Sequence, residues 1–272
     1  MSRQSGRALL VAAPVVVLAL LVVLLMGQAD RHALAAIAAL AGTLVLVILL
    51  AWAWRADTVV LDAVSAYALG QVRAPQLYEQ VAGAAKLLRV PVPAITCSRT
   101  DAPFAFVVGR SRHRASLCVS TGLLERSTPE VLRAVVVHEL AHLAAPGLAS
   151  RSIATSWSCG VLALTDGHWV LSRLNPVGLW VRSLGVATAQ QLRADARSGR
   201  HLNDPLAMAR ALRWLDAGVG RVRLQPAGRL VAASGLMTVS PFGNDVRATA
   251  LAGQPETGLR VLRLEALAGY RR

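Results

Sequence analysis

The chain contains His138-Glu139-Leu140-Ala141-His142. On an α-helix, residues four apart share a face, so the two imidazoles project together, near enough to share one tetrahedral zinc ion. Glu139 is rotated from His138 by about 100°, which places its carboxylate beside such a metal and not on it. There it can take a proton from water whose pKa the metal lowers toward ~7. This is the HExxH logic of metal-dependent peptide hydrolysis. The bland reading is two unrelated histidines and a stray glutamate on a buried helix.

The motif needs a helix to hold it. Ser127-Thr128-Pro129-Glu130 is a helix start: Ser127 can cap, Glu130 completes a capping box, and Pro129 lies in the first turn. The helix is expected to run to about Ala145, where Pro146-Gly147 stops it. Upstream, Asp57 to Val90 reads as helical, with a second helix opened at Pro75. Short strand-like runs follow at Ala94–Cys97, Phe104–Val108 and Ala115–Val119. Asn203 to Val219 reads as an amphipathic helix with Leu206, Met208, Leu212 and Leu215 inward. The three cysteines, Cys97, Cys118 and Cys159, read as small core residues in a reducing compartment.

Of the 272 residues, 54% are apolar and only 16% charged, which excludes intrinsic disorder and argues against a wholly water-soluble chain. The net charge of +14 is carried by scattered arginines without aromatic interleaving, which argues against nucleic acid as a partner. Two uncharged runs, residues 8–26 and 33–54, are each about long enough to cross a ~30 Å hydrocarbon layer. Trp52 and Trp54 suit an interfacial belt, and the six-residue link Gly27 to His32 forces a hairpin. Arg3, Arg7 and Arg55 on the outer flanks put the rest of the chain in the cytoplasm by the positive-inside bias. A cleaved signal peptide is the alternative for the first run. The expected organisation is a transmembrane hairpin over 1–56 and a cytoplasmic domain over 57–272, multi-pass in the cell membrane.

Phe104-Ala105-Phe106-Val107-Val108-Gly109, then Val119-Ser120-Thr121-Gly122-Leu123-Leu124, then the HExxH helix resemble the HtpX-type integral-membrane zinc metallopeptidases. Leu192-Arg193-Ala194-Asp195-Ala196 is similar to that family's E-x-x-A-D helix, and Gln254-Pro255-Glu256 to its His-Pro tail. The resemblance implies an α+β, mostly helical, zincin-like domain with a small sheet. It implies one Zn2+ per chain held by His138 and His142, with Glu139 as the catalytic base and Asp195 orienting a ligand from behind. Substrates would be membrane or misfolded proteins, entering as an extended strand along a sheet edge.

The family's third ligand is the glutamate of E-x-x-A-D, and here Gln191 stands at that position. Its amide oxygen is a neutral, weaker donor, which raises the charge of the site by one. The tail histidine is likewise matched by Gln254. Three readings stay open. Gln191 serves as a poor third ligand; or Asp195, Asp166, His168 or His201 fills the place; or the chain is a proteolytically weak or inactive scaffold or regulator. Between the two halves of the site, 151–190 has apolar runs too short to span and reads as an interfacial or re-entrant hairpin, or as helices packed on the core.

Overall fold

A computed structural model of the chain describes residues 31–165, 188–202, 204–225, 228–242 and 255–269. The expected span over 8–26, the larger part of 151–190, and Asp166, His168 and Gln254 lie outside the described residues. Helix α1 (Arg31–Trp54) contains a 20-residue stretch, Ala35–Trp54, of mean hydropathy 2.5 that is long and apolar enough to cross a membrane. Its Leu40, Leu46, Val47 and Leu50 are exposed, as a span facing hydrocarbon requires.

The end of α1 is tied to the rest of the molecule. Trp52 lies 5.5 Å, ring to ring, from Trp157 on α6 (Leu148–Thr165). A Cβ at Gly160 on the same helix would run into the Trp52 ring, so this position needs glycine for the close approach. Gly160→Val is expected to destabilise the detergent-solubilised protein by about 1–3 kcal/mol through overpacking, and Gly160→Ala by less, read as a fall in Tm. Trp54 lies beneath Arg110 and Arg114 at 4.5 and 5.6 Å, and Arg110 pairs with Asp57 at 3.6 Å.

Helix α2 (Ala56–Ala63) is shorter than the sequence pattern predicts. Ser65 adopts φ 51°, which no helix continues through, and Ala66–Ala68 becomes strand β1, antiparallel to β2 (Ala94–Ser98) with Tyr67 opposite Cys97. Three residues are too few for alternation to show against the helical spacing of Val60, Val64 and Tyr67. Pro75 does open α3 (Pro75–Leu88), which ends on Arg89 in the left-handed region. Strands β3 (Ala105–Ser111) and β4 (Arg114–Ser120) form a hairpin, and β4 also pairs in parallel with β2 and leads into the short helix α4 (Thr121–Arg126). The sheet order is β1-β2-β4-β3, so β3 is an edge.

Both faces of this sheet are covered. Ala105, Val107, Leu117 and Val119 point to one core, with Leu77 and Val81 of α3, Val135 and Leu143 of α5 (Pro129–Ala144), and Leu212 and Leu215 of α8 (Pro205–Arg221). Phe106, Val108 and Cys118 point to the other, with Val60 of α2, Leu162 of α6 and Ala232 of α9 (Gly228–Ser234). This is the period-two alternation of a strand, buried on both sides. Burial pushes the Cys118 thiol up to about 12, which leaves it inert as a nucleophile. The architecture is α+β and mostly helical, with one small mixed sheet. Within 151–190, residues 151–165 belong to α6, whose Cys159 and Leu162 are buried in the second core.

Candidate metal centre

Helix α5 carries the motif, and it starts one residue later than the sequence reading. Thr128, not Ser127, is the N-cap: its Oγ accepts from the Val131 N–H. The reason is Pro129 at the first helical position, which drives the preceding residue into the extended conformation a cap requires; Thr128 has φ −75° and ψ 159°. Glu130 then lies in the first turn outside the box spacing. The helix is buried almost throughout from Leu132 to Leu143, wedged between the sheet, α3, α7 (Thr188–His201) and α8.

His138, Glu139 and His142 are all buried. The two imidazole centroids stand 4.9 Å apart at 88°, and the Nε2 atom of each, like Nδ1 of His138, lies buried without a hydrogen-bond partner. Such orphaned nitrogens, one helical turn apart, fit a divalent cation in donor type and burial. Glu139 Oε1 lies 4.0 Å from His138 Nε2. Its two oxygens are engaged: Oε2 accepts from the Val107 N–H at 3.0 Å and Oε1 from the Thr238 hydroxyl at 2.6 Å. Burial raises the Glu139 carboxyl above its ordinary range, against the pull of His138, Thr238 and Arg151.

Helix α7 brings Gln191 and Asp195 to the same place, both buried. Gln191 lies beside the His142 ring and donates its Nε2 to the Met237 carbonyl at 3.3 Å, so its carbonyl oxygen is the atom left for a metal. Asp195 Oδ1 lies 3.1 Å from His138 Nδ1. Both its oxygens are held by Arg260 on α10 (Thr257–Gly269), each at 2.7 Å. Burial pushes this carboxyl up, but Arg260 and His138 outweigh it and hold it well below the usual carboxylate range. Asp195 therefore stands behind a histidine with both oxygens committed. Among the described residues no third His, Cys, Asp or Glu joins His138 and His142 as a metal-holding group.

The outer edge of β3 is not open. The Ala105 carbonyl accepts from the Thr238 N–H and lies 3.1 Å from the Thr238 hydroxyl, Val107 N–H is spent on Glu139, and Gly109 N–H donates to Ser152 Oγ at 3.0 Å. A substrate strand pairing along this edge must first displace Thr238 and Glu139 from it.

A family model for peptidase family M48 matches residues 71–267. The chain belongs to peptidase family M48. It is 30% identical over 232 residues to a "Protease HtpX homolog" of Pseudarthrobacter chlorophenolicus, covering 79% of this chain and 80% of the relative. It is 31% identical over 246 residues to one of Kineococcus radiotolerans, covering 80% and 82%. A third, of Paenarthrobacter aurescens, is 30% identical over 233 residues. The M48 match spans α3 to α10 and so includes every residue of the centre described above. The resemblance read from the motifs to HtpX-like metallopeptidases is borne out.

Three side chains of this M48 centre carry no signal in motif spacing. Arg151, on α6, is 4% exposed and places Nη1 2.8 Å from Nδ1 of His142. Thr238, in the turn after α9, holds Glu139. Arg260 is 1% exposed and, besides gripping Asp195, donates to the Thr238 carbonyl. An arginine embedded in apolar sequence, as Arg260 is between Leu259 and Val261, is the one available hint.

Proposed function

We propose that the chain is a membrane-anchored zinc-dependent endopeptidase. His138 and His142 hold the metal through Nε2, the Gln191 amide oxygen is the third donor, and Glu139 is the catalytic base. The observation that carries this reading is the pair of buried, unpartnered Nε2 atoms with a carboxylate beside them. Zinc, when bound, supplies Lewis acidity to water and to the scissile carbonyl. The protein's own part is positional. Asp195 fixes His138 with its proton on Nδ1 and Arg260 fixes Asp195. Glu139, whose carboxyl burial raises above its ordinary range, accepts a proton from water and returns it to the leaving amine. Thr238 and Val107 hold that carboxylate in place until substrate takes the β3 edge. The apolar α1 anchors the domain, and the arginines flanking the two apolar runs favour a cytoplasmic catalytic side. Membrane or misfolded proteins are the substrate class that HtpX-like membership favours.

A second reading, a proteolytically weak or inactive scaffold, is favoured by one observation: a neutral glutamine stands where the resemblance places a carboxylate ligand. Elemental analysis of detergent-purified protein separates the two. The expected result is near one zinc per chain in the wild type, lost in His138→Ala, with casein cleavage that depends on it. Folded wild type that holds no zinc after supply during purification would overturn the enzymatic reading.

A further inference from the structure

Arg151 is a buried cation for which, among the described residues, no carboxylate lies within 4 Å; its guanidinium meets the ring of His142. A guanidinium has donors and no acceptor, and it keeps its charge in proteins. At 2.8 Å the direction of the contact is therefore fixed: Arg151 gives and His142 Nδ1 accepts. A neutral imidazole carries one N–H and one lone pair, so the His142 proton sits on Nε2, the nitrogen a metal would need bare. His138 is set the other way. Its Nδ1 lies 3.1 Å from Asp195 Oδ1, an ion-pair contact, and a proton on that nitrogen leaves the lone pair on Nε2. One of the two histidines is ready for metal and the other is held out of readiness by a single side chain.

Charge points the same way. The buried charged groups around the two histidines are two cations, Arg151 and Arg260, and two carboxylates, Glu139 and Asp195, which balance when both carboxyls are ionised. Adding a dication to this set leaves two positive charges uncompensated in a buried place, which is costly. Substituting glutamate for Gln191 removes one of them, and removing Arg151 removes the other.

We propose that Arg151 is a resident cation that takes the electrostatic place of the metal in the metal-free protein, and that it must release His142 Nδ1 before a metal binds. The proposal rests on His138, His142 and Gln191 being the metal-binding group. It makes the metal-free form a stable resting state and zinc occupancy conditional on an arginine moving. Arg151 is a positioning residue in this scheme: it acts on metal and substrate through His142.

The test uses the full chain in detergent, with zinc alone as the probe, in four proteins: wild type, Arg151→Met, Gln191→Glu and the double variant. Zinc affinity is read by competition with a chromophoric chelator, and metal-free and zinc-loaded Tm by thermal unfolding. Each single variant is expected to bind zinc about 10- to 100-fold more tightly than wild type, and the double variant more tightly than either. Metal-free Arg151→Met is expected to melt below wild type and to be rescued by zinc. A second measurement needs no variant. Nitrogen-15 histidine spectra of the metal-free wild type should show His142 protonated on Nε2 and His138 on Nδ1. Arg151→Met binding no more tightly than wild type, or His142 protonated on Nδ1 in the metal-free wild type, would overturn the resident-cation proposal and leave the metallopeptidase reading standing. Four folded proteins that all fail to bind zinc would overturn both.

Discussion

Glu139→Gln is expected to lower kcat for peptide hydrolysis by about 10²–10⁴-fold, with zinc content unchanged and the fold intact. The fold survives because the local hydrogen bonds can be rewired without loss. The glutamine carbonyl accepts from Val107 N–H in place of Oε2, and its amide donates to the Thr238 hydroxyl. That hydroxyl then donates to the Ala105 carbonyl, which it already approaches at 3.1 Å. Glu139→Ala offers no such exchange. It strands the Val107 N–H in a buried site and should cost about 1–3 kcal/mol.

The pH dependence separates the two forms further. Burial raises the Glu139 carboxyl from its ordinary value of 4.5, so in the metal-free protein the folded state holds this proton more tightly than the unfolded state. Stability from this group is present below that ordinary value and is lost as pH rises through the raised one. The Tm of metal-free Glu139→Gln should therefore gain on that of wild type as pH rises above about 4.5. A difference that is flat with pH, or that shrinks, would mean the carboxylate is better compensated than its surroundings indicate.

The parts of the molecule legible in the sequence are those where one residue type answers to one local cause. Pro75, the Pro146-Gly147 stop, the apolar span and the two histidines on one helix face are of this kind. The rest was decided by partners distant in sequence. β1 exists because Ser65 turns and β2 offers an edge, which no local periodicity announces. The cap moved to Thr128 because a proline constrains its predecessor more strongly than a serine attracts a helix start. Gln191 and Asp195 are legible only through the resemblance to the E-x-x-A-D helix, to which spacing adds that they share a helix face one turn apart. Arg151, Thr238 and Arg260 are legible through neither, because each acts through a contact with another helix. A sheet edge for substrate can be expected from the sequence, but the occupation of the β3 edge cannot, because its occupants come from residues 139, 152 and 238.

Breaking the Asp195–Arg260 pair should be the most damaging single change to the fold. Both side chains are buried, Arg260 grips both carboxylate oxygens at 2.7 Å, and the same guanidinium donates to the Thr238 carbonyl. Arg260→Met leaves a buried carboxylate facing only His138 and is expected to cost about 3–5 kcal/mol, read by chemical denaturation of the metal-free protein. Asp195→Leu combined with Arg260→Met should recover most of that loss, because two apolar side chains of similar volume remove both desolvation costs at once. Acid should act on the wild-type pair with a definite sign. The Asp195 carboxyl is held below its ordinary 3.8, so its contribution is complete above that value and is lost as pH falls below it toward the folded-state pKa. Arg260→Met should show a shallower acid slope in that window. The pair also reaches the metal site through His138: Asp195→Asn should weaken zinc binding by about 10- to 100-fold, the usual effect of losing a carboxylate behind a histidine ligand. If zinc affinity were unchanged while stability fell, Asp195 would be a structural anchor for α10 and His138 would owe its orientation to packing alone.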